Sequence, residues 1–517
     1  MATRGEAADG TIVLAGINAR YRHTSFGLRY LLANLGDLAD RARLVETQVK
    51  QPAEAIVDEL LSHAPAIVGL GVYVWNATRA LEVVRLLKAH RPEVVVVLGG
   101  PEVSHEWEEQ PIVALADYTV TGEGEVVFRH LCEALLRGER PPGRIRPGAT
   151  PPMAELALPY HLYTDEDIAH RVLYVEASRG CPFRCQFCLS SLDAAVRMVP
   201  LERLFAELDT LIARGARAFK FIDRTFNLRI RDATAILRFF LDRLTPGLSL
   251  HFEMVPDRLP EALRGLLEAF PPGVVQLEIG IQSWSPEVGR RIERRQDPAA
   301  TEANLRFLAE QTGVHVHADL IVGLPGEDLA SFGAGFDRLV ALGPQEIQVG
   351  ILKRLRGTPI TCHDAPHQMI YSPEPPYEIV STGAMSVEEV DAMKRFARYW
   401  DLLANSGNFI ESTPTLWADG ASPFAAFFAL STWLHETLGR THHLPLNTLV
   451  EALLDYLVGH CASPAAEVAL TLARDLHRSP GRKTPRALKA HLPEGWRPAH
   501  APKAQGGLVR QARHAAL

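Results

Sequence analysis

Cys181-Pro182-Phe183-Arg184-Cys185-Gln186-Phe187-Cys188 is the stretch on which the reading of the chain turns. Its three thiols are separated by three residues and then by two. An apolar run, Val172 to Val175, precedes it and reads as a strand; Arg179-Gly180 leads in, and the glycine lets the backbone turn sharply. A loop of this kind can wrap three thiolates around one face of a [4Fe–4S] cubane and leave the fourth iron without a protein ligand. Structural zinc wants four protein ligands, usually in paired knuckles. No second pair at that spacing lies nearby, and Cys132, Cys362 and Cys461 stand apart. Six cysteines in 517 residues, behind a polar Met1–Gly10 with no apolar signal core, suggest a reducing compartment rather than a disulfide framework.

A chain of this length is expected to form two or three domains. Apolar content of 47% and charged content of 22% are those of a soluble globular protein. A net charge of −7 gives no global pull toward nucleic acid or an anionic membrane. The longest apolar run, around Pro423 to Leu434, is too short to span a bilayer. The expectation is a cytoplasmic enzyme with neither a membrane nor a nucleic acid as partner.

Outward from the cysteines on the N-terminal side, short apolar runs alternate with helical stretches. Strands are expected at 11–16, 66–72, 94–98 and 118–120, and helices at 25–35 and 77–90. Near-continuous apolar strands between helices imply a doubly wound parallel sheet, whose ligands bind at the strands' carboxyl ends. The loops there carry Tyr21, His23 and Ser25, then Tyr73-Val74-Trp75, then Gly99-Gly100-Pro101-Glu102, then Gly122-Glu123-Gly124. Paired glycines let a bulky ligand approach the backbone closely. Tyr73 and Trp75 could equally pack a helix onto the sheet.

From Arg171 to about Ile360 a second alternation predicts six βα units, which suits a partial parallel barrel with its chemistry at the strand ends. Polar groups stand at those ends: Asp223, Glu253, Gln282-Ser283 and Gly323-Leu324-Pro325-Gly326-Glu327. Glu253 on an otherwise apolar strand is costly to bury without a partner; Asp223 could cap the helix that follows. Helices are expected at 387–406, 424–438 and 446–457, with the aromatic stripe Phe424, Phe427, Phe428 and Trp433 as core. The last forty residues are basic and read as a solvated tail. The expected organisation is a disordered N-terminus (1–10), a Rossmann-like domain (11–139), a linker (140–165), a partial barrel (166–362), a helical cap (363–477) and a basic tail (478–517).

Cys181-x3-Cys185-x2-Cys188 with Phe187 resembles the signature of the radical S-adenosylmethionine (SAM) superfamily. Gly99-Gly100-Pro101 and Gly122-Glu123-Gly124-Glu125 resemble the cobalamin-binding domain found in front of many such enzymes. The C-terminal region looks like that of an uncharacterised group of cobalamin-dependent radical SAM proteins. The resemblance implies a [4Fe–4S] cluster on Cys181, Cys185 and Cys188, with SAM on the open iron. It implies Phe187 near the adenine, Asp223, Glu253, Gln282 and Ser283 holding SAM or substrate, and Gly323 and Pro325 along the adenosine. Cobalamin would lie against Tyr21, His23, Ser25, Tyr73, Val74, Trp75, Gly99, Gly100, Pro101, Glu102, Gly122, Glu123 and Gly124. The sequence departs from other cobalamin domains in lacking Asp-x-His-x-x-Gly, so no axial histidine is implied.

The activity implied is methylation of an unactivated carbon through a 5′-deoxyadenosyl radical and methylcobalamin, on a small molecule or peptide, with a reductant such as flavodoxin or ferredoxin. Cobalamin-assisted rearrangement or cyclisation is the alternative enzyme reading. A cobalamin-sensing regulator with a structural metal site is the alternative outside enzymes. No catalytic side chain is assigned.

Overall fold

The computed structural model describes residues 10–479, 481–498 and 509–514. The disorder expected for 1–10 falls almost wholly outside the described residues, as does Lys503 of the basic tail. The chain folds as two compact units. The first comprises Met1–Asp223 with Lys353–Thr361 and Ser372–Glu378; the second comprises Arg224–Leu352 with Cys362–Tyr371 and Ile379–Leu517.

The first unit opens with a six-stranded sheet: β1 (Thr11–Asn18), β2 (Ala42–Gln48), β3 (Pro65–Gly71), β4 (Val95–Gly99), β5 (Tyr118–Thr121) and β6 (Ile145–Pro147). The order is β2-β1-β3-β4-β5-β6, and neighbouring strands run parallel. Both faces are covered, as continuous apolar strands require. Val13, Ala15, Val68, Leu70 and Val96 pack under Ile56, Val84 and Leu87 on one side. Ile12, Leu14, Ile67 and Val97 pack under Leu28, Phe128 and Leu131 on the other.

Two strands of this sheet were not expected. β2 alternates polar and apolar residues as a half-buried edge strand, so it lacks the continuous apolar run of its neighbours. β6 lies inside the stretch expected to be a linker and pairs with β5 through Thr119↔Ile145 and Thr121↔Pro147. Proline at the outer edge is tolerated because its missing N–H faces away from the ladder.

The same unit continues with β7 (Leu173–Val175), the short antiparallel pair β8 (Ser178–Arg179) and β9 (Arg197–Met198), and β10 (Ala218–Phe221), which runs parallel to β7. In the second unit, β11 (Ser249–Met254), β12 (Val275–Gln282), β13 (His315–Val322) and β14 (Glu346–Ile351) pair parallel in that order. Counting β7 and β10 to β14, six parallel-type strands lie between Arg171 and Ile360, the number expected.

Beyond them lie the hairpin β15 (Ile370–Tyr371) and β16 (Ile379–Ser381), then helices Val387–Leu402, Pro423–Leu438, Leu446–Gly459 and Ala465–His477. Ser386 and Glu389 form a capping box that starts the first of these helices. Of the aromatic stripe, Phe427 is fully buried and Phe424 and Phe428 are half-buried; these three surround Phe396, with centroids 5.1, 5.3 and 6.4 Å away respectively, while half-buried Trp433 meets Tyr456 and His460 instead. No helix among the described residues is long and apolar enough to cross a membrane.

Part of the basic tail departs from the solvated reading, while Lys483, Arg486, Lys489 and Arg497 are exposed as expected. Arg482 donates to Asn408 Oδ1 at 2.8 Å, and Arg513 to the same oxygen at 2.9 Å. Arg478 donates to the Arg513 carbonyl, and Leu488 is fully buried. These arginines bind amide and carbonyl oxygens, so they need no carboxylate partners to dock.

Candidate functional site

In a doubly wound sheet the ligand crevice opens where the strand order reverses, beyond the carboxyl ends. Here that point lies between β1 and β3, because β2 sits on the outer side of β1. Asn76 holds the loop after β3 across this point. Its Nδ2 donates to the carbonyls of Ile17 and Gly71, both at 3.1 Å, and its Oδ1 accepts from the Tyr73 N–H. Asn76 therefore locks the turn and faces no ligand.

The turn presents Trp75, which is 51% exposed and stacked on Tyr73 with ring centroids 4.4 Å apart; Val74 is half-buried between them in sequence. Packing of a helix onto the sheet therefore does not account for Trp75. Gly100 has φ +104°, and a Cβ there would lie 2.5 Å from the Val72 carbonyl. Only glycine fits this approach of β4's end to the loop after β3. Gly99 and Pro101 flank it, half-buried. Gly122 has φ +70° with open space above it, and Gly124 packs near Leu31.

Other residues expected to face cobalamin are held within the first unit. Tyr21 donates to Glu166 at 2.6 Å, His23 Nδ1 lies 2.7 Å from the Tyr174 hydroxyl, and Ser25 donates to Asn18. Burial depresses the His23 pKa, with help from Lys220 and nearby arginines. Glu102 is buried and accepts from Arg356 Nε at 2.8 Å and the Tyr377 hydroxyl at 2.6 Å. These bonds make Glu102 a brace within the unit. Glu123 accepts from both Arg179 and Arg197.

Arg179 is the hub that the sequence did not reveal. Its guanidinium meets Glu123 at 3.0 Å, Glu125 at 2.7 Å and Glu176 at 2.9 Å, and lies over the Tyr30 ring. The loop after β5 is thereby fastened to the residue two places before Cys181. Gly180, φ +89°, makes the turn between them; a Cβ there would lie 2.3 Å from the Ala195 carbonyl.

The cysteine loop leaves from β8 and returns at β9. Inside it the Cys181 N–H donates to the Asp193 carbonyl at 2.8 Å and the Cys188 N–H to the Cys185 carbonyl at 3.0 Å. Cys181 and Cys185 are buried; Cys188 and Phe187 are half-buried. Asp223 is neither a helix cap nor open to a ligand. It is buried, and its two oxygens accept from the Ala177 N–H at 2.9 Å and the Ser178 hydroxyl at 2.5 Å, which steadies the approach to the cysteines. Burial, the largest influence, pushes its pKa up to about 6 against those two bonds.

In the second unit, Glu253 lies 3.8 Å from Arg224. Ser283 donates to Glu327 Oε1 at 2.5 Å, and burial lifts the Glu327 pKa to about 7. Oε2 of Glu327 is buried without a hydrogen-bond partner, as is Oε1 of Gln282. Gly323 has φ +85°, with Ile379 where a Cβ would go, and the Pro325 carbonyl accepts from Arg291.

These residues fit the groups that the sequence implies. Among the described residues no three His, Cys, Asp or Glu side chains are gathered as metal ligands; by its chemistry, though, a donor set of three thiols on one short loop, with no fourth sulfur in it, suits a cluster with an open iron. A stacked aromatic pair at the switch point, Trp75 exposed and Tyr73 half-buried, beside glycines that leave the backbone bare, suits a broad planar ligand.

Fold and site together define a protein with two nucleotide-cofactor-type α/β modules in series. Residues 12–132 match the B12 binding domain, residues 175–338 match the Radical SAM superfamily, and residues 365–491 match a protein family of unknown function, DUF4080. The chain is a radical SAM protein with a B12-binding domain. That pairing implies a [4Fe–4S] cluster, SAM and cobalamin as its cofactors.

It is 28% identical over 334 residues to the 2-(S-pantetheinyl)-carbapenam-3-carboxylate methyltransferase of Streptantibioticus cattleyicolor, covering 58% of this chain. It is 25% identical over 458 residues to the cobalamin-dependent radical SAM methyltransferase TokK of Streptomyces tokunonensis, covering 80% of this chain. The chain spans only 47% and 63% of the lengths of these two relatives. Among solved structures, the cobalamin-dependent SAM radical enzyme OxsB shares its fold with a TM-score of 0.59 at 14% identity, over 90% of this chain and 78% of that one.

Proposed function

We propose that this chain is a cobalamin-dependent radical SAM methyltransferase that methylates an unactivated carbon of a small molecule or peptide. The observation that carries the reading is the order of the two cofactor domains in a chain whose relatives are named methyltransferases. When bound, the cluster supplies the electron that cleaves SAM, and cobalamin carries the methyl group.

The chain's residues position these groups. Cys181, Cys185 and Cys188 give three thiolates and leave one iron for SAM. Phe187, Gly323 and Pro325 receive the adenosine, and Glu253, Gln282 and Ser283 receive SAM or substrate. Tyr73, Trp75, Gly99, Gly100 and Gly122 receive cobalamin. Asp223 and Arg179 hold the cysteine loop in place. A flavodoxin or ferredoxin in the cytoplasm serves as reductant.

The test is anaerobic. The reconstituted full chain is incubated with reductant, cobalamin, SAM labelled in its methyl group and a small-molecule extract. The expected result is 5′-deoxyadenosine together with label in a carbon-methylated product. 5′-Deoxyadenosine with no label transferred supports rearrangement or cyclisation instead. Label transferred without 5′-deoxyadenosine points to polar methylation, and absence of both removes the enzyme reading.

A further inference from the structure

The strands β12, β13 and β14 carry Gln282, Gly323 and their neighbours at the carboxyl ends. Their opposite ends border a cavity of about 550 Å³, and none of the residues assigned above to a cofactor lines it. Gly273 stands on its wall just before β12, Val314 before β13 and Gln345 before β14. The eight residues of β13 separate the two ends by about 23 Å, at the rise of an extended strand. Trp400 of the helix Val387–Leu402 lines the cavity, followed by Asn405, Phe409, Thr413 and Trp417. Gln511 and His514 of the short helix Val509–His514 complete the wall. A space of this size is not a packing defect. Folded interiors leave few gaps larger than a water molecule, whereas small-molecule pockets span roughly 300–1,000 Å³.

The polar groups on the wall fall into two sets. Asn405 is matched on both sides: its Oδ1 accepts from the Ile347 N–H and its Nδ2 donates to the Ile347 carbonyl, each at 2.9 Å. Gln345 accepts from the Val316 N–H at 2.6 Å, and the Thr312 hydroxyl donates to the Leu308 carbonyl at 2.7 Å. His315 Nε2 lies 2.9 Å from Glu346 Oε1, and His514 Nε2 lies 3.1 Å from the Asn405 carbonyl.

Trp400, Thr413 and Gln511 form the other set. They are 5%, 4% and 4% exposed. The indole Nε1, the threonine Oγ1 and the glutamine Oε1 are buried with no hydrogen-bond partner. Gln511 Nε2 donates to Gln276 Oε1, which leaves the other amide atom as an open acceptor. Buried polar atoms are nearly always paired. Three exceptions around one cavity, a donor, an acceptor and a hydroxyl that serves as either, point to one common partner.

The wall also sets the chemistry of that partner. No described lining residue is Asp, Glu, Lys or Arg, and burying an ion without a counter-charge is costly. The ligand is therefore uncharged. Trp400 and Trp417 offer aromatic surface, their rings 24° from parallel with centroids 6.5 Å apart. The indole N–H requires an acceptor and Gln511 Oε1 requires a donor, and a carboxamide supplies both. We propose that this cavity is a second binding site, apart from the catalytic one, for a small uncharged aromatic amide. The proposal goes beyond the methyltransferase reading and does not rest on it.

The test titrates the reconstituted full chain by calorimetry with three probes: 1-naphthaleneacetamide, its carboxylate and its methyl ester. The amide is expected to bind at least about tenfold more tightly than the carboxylate, which enters a wall without cations. It is expected to exceed the ester, which has an acceptor but no donor, by about fivefold, the worth of one hydrogen bond. Gln511→Leu is expected to remove the preference for amide over ester. Thr413→Val, which keeps shape and removes the hydroxyl, is expected to weaken amide binding. Iron content and SAM affinity should not change in either variant. A carboxylate that binds as well as the amide overturns the proposal. So does an amide that fails to bind at millimolar concentration, which assigns the space to solvent. Amide binding that both variants leave intact also overturns it, since the probe then sits elsewhere. The discrimination among probes is read on the parent chain, so it decides the matter even where a variant fails to fold.

Discussion

Arg179 in the first unit and Asp319 in the second are both charged groups buried beside parallel strands, and the chain treats them in opposite ways. Arg179 is saturated: three carboxylates and an aromatic ring enclose it. Asp319 has one close charged partner, His317, 3.3 Å away and outside hydrogen-bond alignment, beside an amide oxygen of Gln282 that has no hydrogen-bond partner. A buried charge is tolerated when it is paired, and an unpaired polar group costs stability that only a ligand can return. The contrast separates a matched frame from a looser one. In the first unit, Asn76, Asp223 and Glu102 belong to the frame, held by hydrogen bonds within the unit; Arg29 pairs with Glu46 and Asp167 but keeps Nε and Nη1 buried without a hydrogen-bond partner. In the second, Gln282, Asp319, His317 and Glu327 each keep one atom without a hydrogen-bond partner.

The largest effect should come from the cysteines that the frame holds. Replacing Cys181, Cys185 or Cys188 singly by serine should abolish iron retention after anaerobic reconstitution, read as iron content and broad visible absorption. Full iron in any of the three would break the reading at its root.

Next comes the hub. Arg179→Met leaves Glu123, Glu125 and Glu176 facing one another without compensation, and removing one partner from a buried charge network costs about 3–5 kcal/mol. Chemical denaturation should show that loss, and cobalamin affinity should fall with it because Glu123 and Glu125 flank the loop after β5. A change near zero would move Arg179 out of the frame.

How much of this was legible in the sequence follows from range. Three cysteines within eight residues declare themselves locally, and so do the six barrel strands, whose apolar residues alternate or run together. Ser386 and Glu389 announce a helix for the same reason. β2 did not, because an edge strand reading Ala-Arg-Leu-Val-Glu-Thr-Gln has no continuous apolar signal. Two of the three carboxylate partners of Arg179 lie 54 and 56 residues away, and those of Glu102 lie 254 and 275 away. No spacing rule reaches that far, so the bracing bonds of Glu102 and Glu123 were not legible in the sequence. The alternation His315-Val316-His317-Ala318-Asp319-Leu320 is visible in the sequence, but its meaning depends on the register of three neighbouring strands.

Glu327 sharpens the comparison through pH. Its carboxyl is 2% exposed, with a folded pKa of about 7 against an ordinary 4.5. The folded state therefore holds a proton that the unfolded state has released between those values. Its contribution is complete below pH 4.5 and is lost as pH rises through 7, on the order of 3 kcal/mol in all. Glu327→Gln should lack this decline, so its stability relative to the parent should grow from pH 5 to 8 in thermal melts. Parallel curves would show that Glu327 is already compensated.

The smallest expected effect is the most discriminating. Asp319→Asn keeps shape while removing the charge of a group that has no aligned partner, which relieves a desolvation penalty. It also withdraws support from protonated His317, which retains Glu346 at 3.6 Å. These two consequences oppose each other, so the net change in stability should stay within about 1 kcal/mol. Measured by denaturation beside Arg179→Met, the pair should differ severalfold. A loss of Arg179 size at Asp319 would mean that the His317–Asp319 pair is itself part of the frame.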